Sequence, residues 1–184
     1  ITVADNSGAI TVSDNITAEN GKVDISDKDG AISVSGQINA NDNISISDDS
    51  KDISLAEIVK SANGDVEISN KSGNIKAEKT VTAENGNAHI SDEQGSIDLQ
   101  NVIANDIEIT DSEGDISTAE LTANNEVNIL NETGKITSGN ISAGNDINVS
   151  DESGDISLAA LTSNEGNITV ADNSGAITVS DNIT

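Results

Sequence analysis

The sequence predicts an all-β chain: a right-handed parallel β-solenoid, or triangular β-helix, of about 21 residues per coil and about nine coils. Three observations predict it. A short unit recurs along the whole chain, apolar and polar residues alternate within it in three brief bursts, and turn-forming residues stand at fixed places between the bursts.

The repeat is the strongest signal. Ile1 to Thr17 and Ile168 to Thr184 are identical, both reading ITVADNSGAITVSDNIT, at an offset of 167 residues. Starts at Ile1, Val23, Ile44, Val66, Ala88, Ile107, Val127, Ile147 and Ile168 divide that offset into spacings of 22, 21, 22, 22, 19, 20, 20 and 21. Residues 1–184 therefore read as one repetitive segment, with a super-repeat of eight coils over 1–167 that restarts at 168.

Each unit opens on a burst such as Ile147 and Val149, followed by Ile156 and Leu158 and then by Leu161 and Ser163. Alternation with period two is a strand signature, and no stretch holds an apolar face with helical spacing. The fifth position of the unit is always Asp or Asn: Asp5, Asp27, Asp48, Asn70, Asp92, Asp111, Asn131, Asp151 and Asp172. The eighth is Gly in every unit except the one with Lys51, which implies either positive φ or close approach of the neighbouring coil. A short acceptor three residues before Gly fits an Asx turn. Length varies between the second and third bursts and in the closing Asn/Gly/Asp cluster, where a corner absorbs it.

Such a unit cannot bury its own apolar face, but stacked units can, each strand pairing with its counterpart one coil away. Six inward side chains per coil, mostly Ile, Val, Leu and Ala, fill a narrow bore, at roughly 1.5–3 kcal/mol for each large aliphatic. The composition agrees. There are 26 Ile and 12 Val, but no Phe, Trp, Tyr, Cys, Met or Pro. A ring would displace both neighbouring coils, and Pro would remove a ladder hydrogen bond.

Composition also excludes functions. Without Cys there is no disulfide framework and no thiolate zinc site. All eight basic residues are Lys, and a net charge of −25 argues against nucleic-acid binding. With no aromatic ring, glycans and single strands cannot be held by stacking. Like charges one coil apart repel, and the outward columns dilute them: Thr2, Asp24, Ser45, Glu67, His89, Glu108, Asn128, Asn148 and Thr169 never place two acids in adjacent coils. On this reading the charge gathers at the turns, where water screens it.

The core Asx-x-[ST]-G-x-I-x-[LV], as in Asp151 to Leu158, resembles the β-helical shaft repeats of filamentous-haemagglutinin-like adhesins exported by two-partner secretion. So does the recurring [GN]-[DN]-[IV]-x-[IV], as in Asn145 to Val149. The likeness spans the chain, and autotransporter passengers share it. It implies a long extracellular fibre with roles in attachment or biofilm cohesion, and it carries over no catalytic residue.

Few positions invite chemistry. The Asp column (Asp5, Asp27, Asp48, Asp92, Asp111, Asp151 and Asp172) is open to two readings, calcium ligation or capping of its own turns. The chain lacks the GGxGxDxUx spacing of calcium-binding solenoids. His89, the single histidine, falls outward between Glu67 and Glu108, as a pH-sensitive or metal-binding patch or as a solvated surface position. No unit carries the long insertion or paired acids that β-helical lyases and hydrolases need. The hydroxyl column Thr11, Ser33 and Ser54 is broken by Lys76 and Asp98, which argues against an ice-binding array. The expectations are a cell-surface or extracellular structural shaft with no catalytic, cofactor-binding or metal site. Its partners are neighbouring repeats, with lateral or head-to-tail self-association and no membrane span. The alternative is a binding module whose acidic face docks a cationic, glycan or divalent-cation partner.

Overall fold

A computed structural model describes all 184 residues and contains strands, turns and no helix. No segment is therefore a helix long and apolar enough to cross a membrane. Every pairing between strands is parallel and joins a coil to the next one. The chain is a parallel β-solenoid with three strand segments per coil.

The first side is a nine-stranded sheet that begins at Thr2–Ala4 and Val23–Asp27 and ends at Ile147–Asp151 and Ile168–Asp172. Its register matches the sequence repeat residue for residue: Val66 pairs with Ala88, Ile68 with Ile90, and Asn70 with Asp92. The second and third sides are separate short strands in the early coils, as in Ile32–Val34 and Ile38–Ala40. In four middle coils they run on as single strands, Ile75–Ala83, Ile97–Ala104, Ile116–Ala123 and Ile136–Ala143. The sequence shows three bursts there, and in three of these coils the link between the second and third is two residues (as at Ala119 and Glu120) against three (Ser35 to Gln37) in the early coils. Ile75–Ala83 runs on across a three-residue link, and the two-residue link of Ala159 and Ala160 separates two strands, so the neighbouring coils decide as much as the link itself. Where a three-residue link meets a two-residue one, between Ala77 and Thr80, the register shifts by one as a bulge.

Forty-one buried hydrophobic residues form a single core along the axis. Its Ile and Val side chains belong to inward positions of all three sides, and Ala or Ser closes the third strand, as at Ala40, Ser61, Ala83 and Ala104. The bore is not wholly apolar. Thr118 and Ser138 face into it from adjacent coils, and their hydroxyls are hydrogen-bonded at 2.7 Å, which satisfies both. Buried Ser61 donates to Asp42 O and accepts from Gly64 N.

The eighth-position Gly column is a column of close approach. A Cβ on Gly30, Gly95, Gly114, Gly154 or Gly175 would overlap the carbonyl oxygen of the Gly one coil below. Positive φ is found at only two of these positions, Gly73 (φ 142°) and Gly134 (φ 119°). Of the two reasons the sequence offered for glycine, contact between coils is the general one.

Corners are also fastened by side chains that cross from coil to coil. At the third corner Asn43 Oδ1 accepts from Asp65 N, Asp65 Oδ1 from Asn87 N, Asn87 Oδ1 from Asp106 N and Asp106 Oδ1 from Glu126 N. A parallel ladder at the first corner, one residue past the Gly column, uses Asp52, Asn74, Ser96 and Asp115. Each such bond answers a backbone donor that turns out of the sheet.

Candidate functional site: a buried acid column

The fifth-position Asp and Asn residues lie on the first strand with the same parity as the two core aliphatics before them. Val23, Ile25 and Asp27 all point inward, and so do Ile107, Ile109 and Asp111. The column is therefore inside the solenoid, and the expectation that turn charge is screened by water is corrected here. Asp27, Asp48, Asp92, Asp111 and Asp151 are 1–3% exposed, as buried as the isoleucines beside them. Only Asp5 and Asp172, in the first and last coils, are partly open.

One oxygen of each carboxyl caps its turn. Asp27 Oδ1 accepts from Asp29 N and Gly30 N at 3.2 and 3.0 Å; Asp48 Oδ1 accepts from Ser50 N and Lys51 N at 2.8 and 3.1 Å. Asp111 and Asp172 do the same for Glu113 and Gly114, and for Ser174 and Gly175. Asp5, Asn70, Asp92 and Asp151 each accept from the residue two further on. This is the Asx turn that the sequence suggested, now built from named bonds. No group of three or more His, Asp or Glu side chains is arranged to hold a metal ion.

The other oxygen is unusual. Oδ2 of Asp27, Asp48, Asp92, Asp111, Asp151 and Asp172 is buried and has no hydrogen-bond partner. Burial pushes the Asp92 carboxyl up to about 7 and that of Asp111 to about 6; it raises Asp48 and Asp151 as well. Asp5 supplies the contrast. It makes the same turn bonds in the first coil but escapes burial, and the Ser7 and Asn6 amides hold its carboxyl below the usual range. Loss of water, not turn geometry, separates them.

His89 stands where the register placed it, paired with Glu67 on one side and Glu108 on the other along the sheet. Its Nδ1 lies 2.9 Å from Glu108 Oε2, and both side chains are about half exposed. Asp65, Asn87 and Asp106 join them around an open groove. The second outward column of this side runs Ser26, Ser47, Ser69, Ser91 and Thr110 in consecutive coils before exposed Leu130 interrupts it. What sequence reasoning missed is the depth of the acid column, and the signal was present: positions one, three and five of a strand share a face.

No match to a curated protein or to a solved structure was found. A family model does match, covering residues 44–182, and it is described as Toastrack DUF4097. That span takes in most of the repeating coils and the acid column from Asp48 to Asp172, so the chain belongs to the Toastrack DUF4097 family.

Proposed function

We propose that this chain is a shaft: a stiff, non-catalytic spacer of a long extracellular or cell-surface fibre, like the adhesin repeats it resembles. The observation that carries this reading is the uniformity of the stack. Parallel ladders run between successive coils on all three sides, and no loop longer than a corner leaves them. Such a body resists bending and offers no cleft in which a substrate could be enclosed. Its role is to hold a distal element away from a surface, or to form a matrix filament together with its copies. High negative charge keeps such rods soluble and apart.

The rival reading, a binding module, calls for an unbroken polar ladder on one face. Two outward columns, Thr2 to Thr169 and Thr11 to Thr178, are polar in every coil, but each mixes hydroxyls with acids and with His, Asn or Lys in no regular order; that irregularity favours the spacer. Electron microscopy of the full chain, and of two and three tandem copies of residues 1–167, tests the proposal. Rods of constant width that lengthen by roughly 38 Å per copy, eight coils at about 4.8 Å, are expected. Globules or jointed chains would overturn it. For location, protease shaving of intact cells that produce the parent protein should release these repeats; a protected cytoplasmic pool would refute the surface assignment.

A further inference from the structure

The Asx column contains its own comparison. At two of its positions the residue is Asn, and the amide shows what the buried site requires. Asn70 Nδ2 donates to Lys51 O at 2.8 Å, and Asn131 Nδ2 donates to Gly114 O at 2.9 Å. Both acceptors are the eighth-position carbonyls of the coil below. In the neighbouring coils an Asp occupies the same place, and its Oδ2 is the buried oxygen without a partner. The matching carbonyl is close. The point where a Cβ on Gly95 would stand is crowded by both Gly73 O and Asp92 Oδ2, and that on Gly114 by both Gly95 O and Asp111 Oδ2. Gly154 and Gly175 repeat the arrangement with Asp151 and Asp172. Two oxygens that both only accept repel when they face each other in a dry corner; a donor between them turns the repulsion into a bond.

We propose that Asp92 and Asp111 keep their protons in mildly acidic solution, where the other carboxyls are ionised, and donate through Oδ2–H to the carbonyl oxygens of Gly73 and Gly95, as the amides of Asn70 and Asn131 donate to Lys51 and Gly114. The solenoid is thereby a proton-binding rod, whose midsection is held by neutral carboxylic acids that act as hydrogen-bond donors. Asp151 and Asp172 offer the same geometry, and Oδ2 of Asp27 and Asp48 is likewise buried without a partner. The surroundings favour the neutral form. Along the column Asp92 lies between Asn70 and Asp111, and Asp111 between Asp92 and Asn131. The bore beside them is filled by Ile90, Ile97, Ile109 and Ile116. The nearby turns add Glu93, Glu113 and Asp115, all negative, and one lysine in the coil next to each acid: Lys71, bound to Asp49 at 2.6 Å, and Lys135, in no salt bridge. No salt bridge reaches either carboxyl. The high values of the two carboxyls agree with this setting.

The test is a carbon-13 NMR titration of aspartate Cγ resonances in the full chain from pH 4 to pH 9, with Asp92→Asn and Asp111→Asn used for assignment. Two buried carboxyls that titrate above pH 5.5 are expected, well apart from the bulk of the acids. The double Asn variant should melt at a higher temperature than the parent at pH 8 and within a degree or two of it at pH 4.5. Asp92 and Asp111 found ionised at pH 5 would overturn the proposal, as would a double variant less stable than the parent at pH 8. A third outcome identifies a different occupant. If millimolar calcium stabilises the parent at pH 8 but not the double variant, a cation fills the space between the oxygens, and the proton assignment fails.

Discussion

Two columns of Asp and Asn run along this solenoid at different corners, alike in chemistry and opposite in surroundings. At the first corner Asp27, Asp48, Asp92, Asp111 and Asp151 point inward and cap their own turns. At the third corner Asn43, Asp65, Asn87 and Asp106 point outward and cap the backbone of the next coil. Both use Oδ1 to accept a backbone N–H. They differ in the fate of the second polar atom, which faces outward at the third corner and toward a carbonyl oxygen at the first. A single atom, exposed or enclosed, decides whether a column of acids is inert or holds protons.

The comparison can be broken most forcefully with a fixed charge. Asp111→Lys places an ammonium in the dry corner and should cost about 3–5 kcal/mol, whereas exposed Asp65→Lys should cost under about 1 kcal/mol. Urea unfolding of the two variants measures the gap, and equal losses would dissolve the distinction between the columns.

Acidity comes next. Asp92 and Asp111 are raised from the ordinary value of 3.8 to about 7 and about 6. The folded chain thus holds more protons than the unfolded chain between those limits. The contribution is fully present below pH 3.8 and is lost as pH rises through about 6 and 7. Stability should therefore fall from pH 5 to pH 8 by on the order of 3 kcal/mol, seen as a lower urea midpoint at pH 8. A flat profile would leave the two columns equivalent.

Glycine shows that close approach between coils is common to both corners and ends only where the stack ends. Gly114→Ala drives a methyl into Gly95 O, and Gly86→Ala at the third corner drives one into Gly64 O; each should destabilise by about 2–3 kcal/mol. Gly21, in the first coil with no coil beneath it, has nothing within 4 Å of the added carbon; its Ala variant should be neutral or gain up to about 0.5 kcal/mol in thermal melts. The smallest effect belongs to a single outer cap. Asp65→Ala removes the 2.8 Å bond from Asn87 N and should cost about 0.5–1 kcal/mol in urea unfolding.

Much of this was legible in the chain itself. The two-residue alternation located the core, because in a stacked coil the same parity that buries Ile25 buries Ile46 and Ile68. The fixed Gly predicted contact between coils. The depth of Asp92 was legible too, since it shares parity with Ala88 and Ile90, but turn chemistry suggested a wet surface and concealed it. The fused strands were harder to foresee. Whether a corner bends or breaks its ladder depends on both neighbouring coils, and the mixed bulge at Ala77 to Thr80 arises only when links of different length meet. The partnered carbonyls of Lys51 and Gly114 were invisible, because sequence gives no distance between a turn and the backbone beneath it.

The direction of the ladders has a mechanical consequence. Every strand pairs only with the coil before it and the coil after it, so the hydrogen bonds lie along the long axis and a pull on the two termini opens them in sequence. Each coil that peels away occupied about 4.8 Å of rod and releases roughly 70 Å of extended chain. Under tension the protein is a store of hidden length, paid out coil by coil while the remainder stays folded.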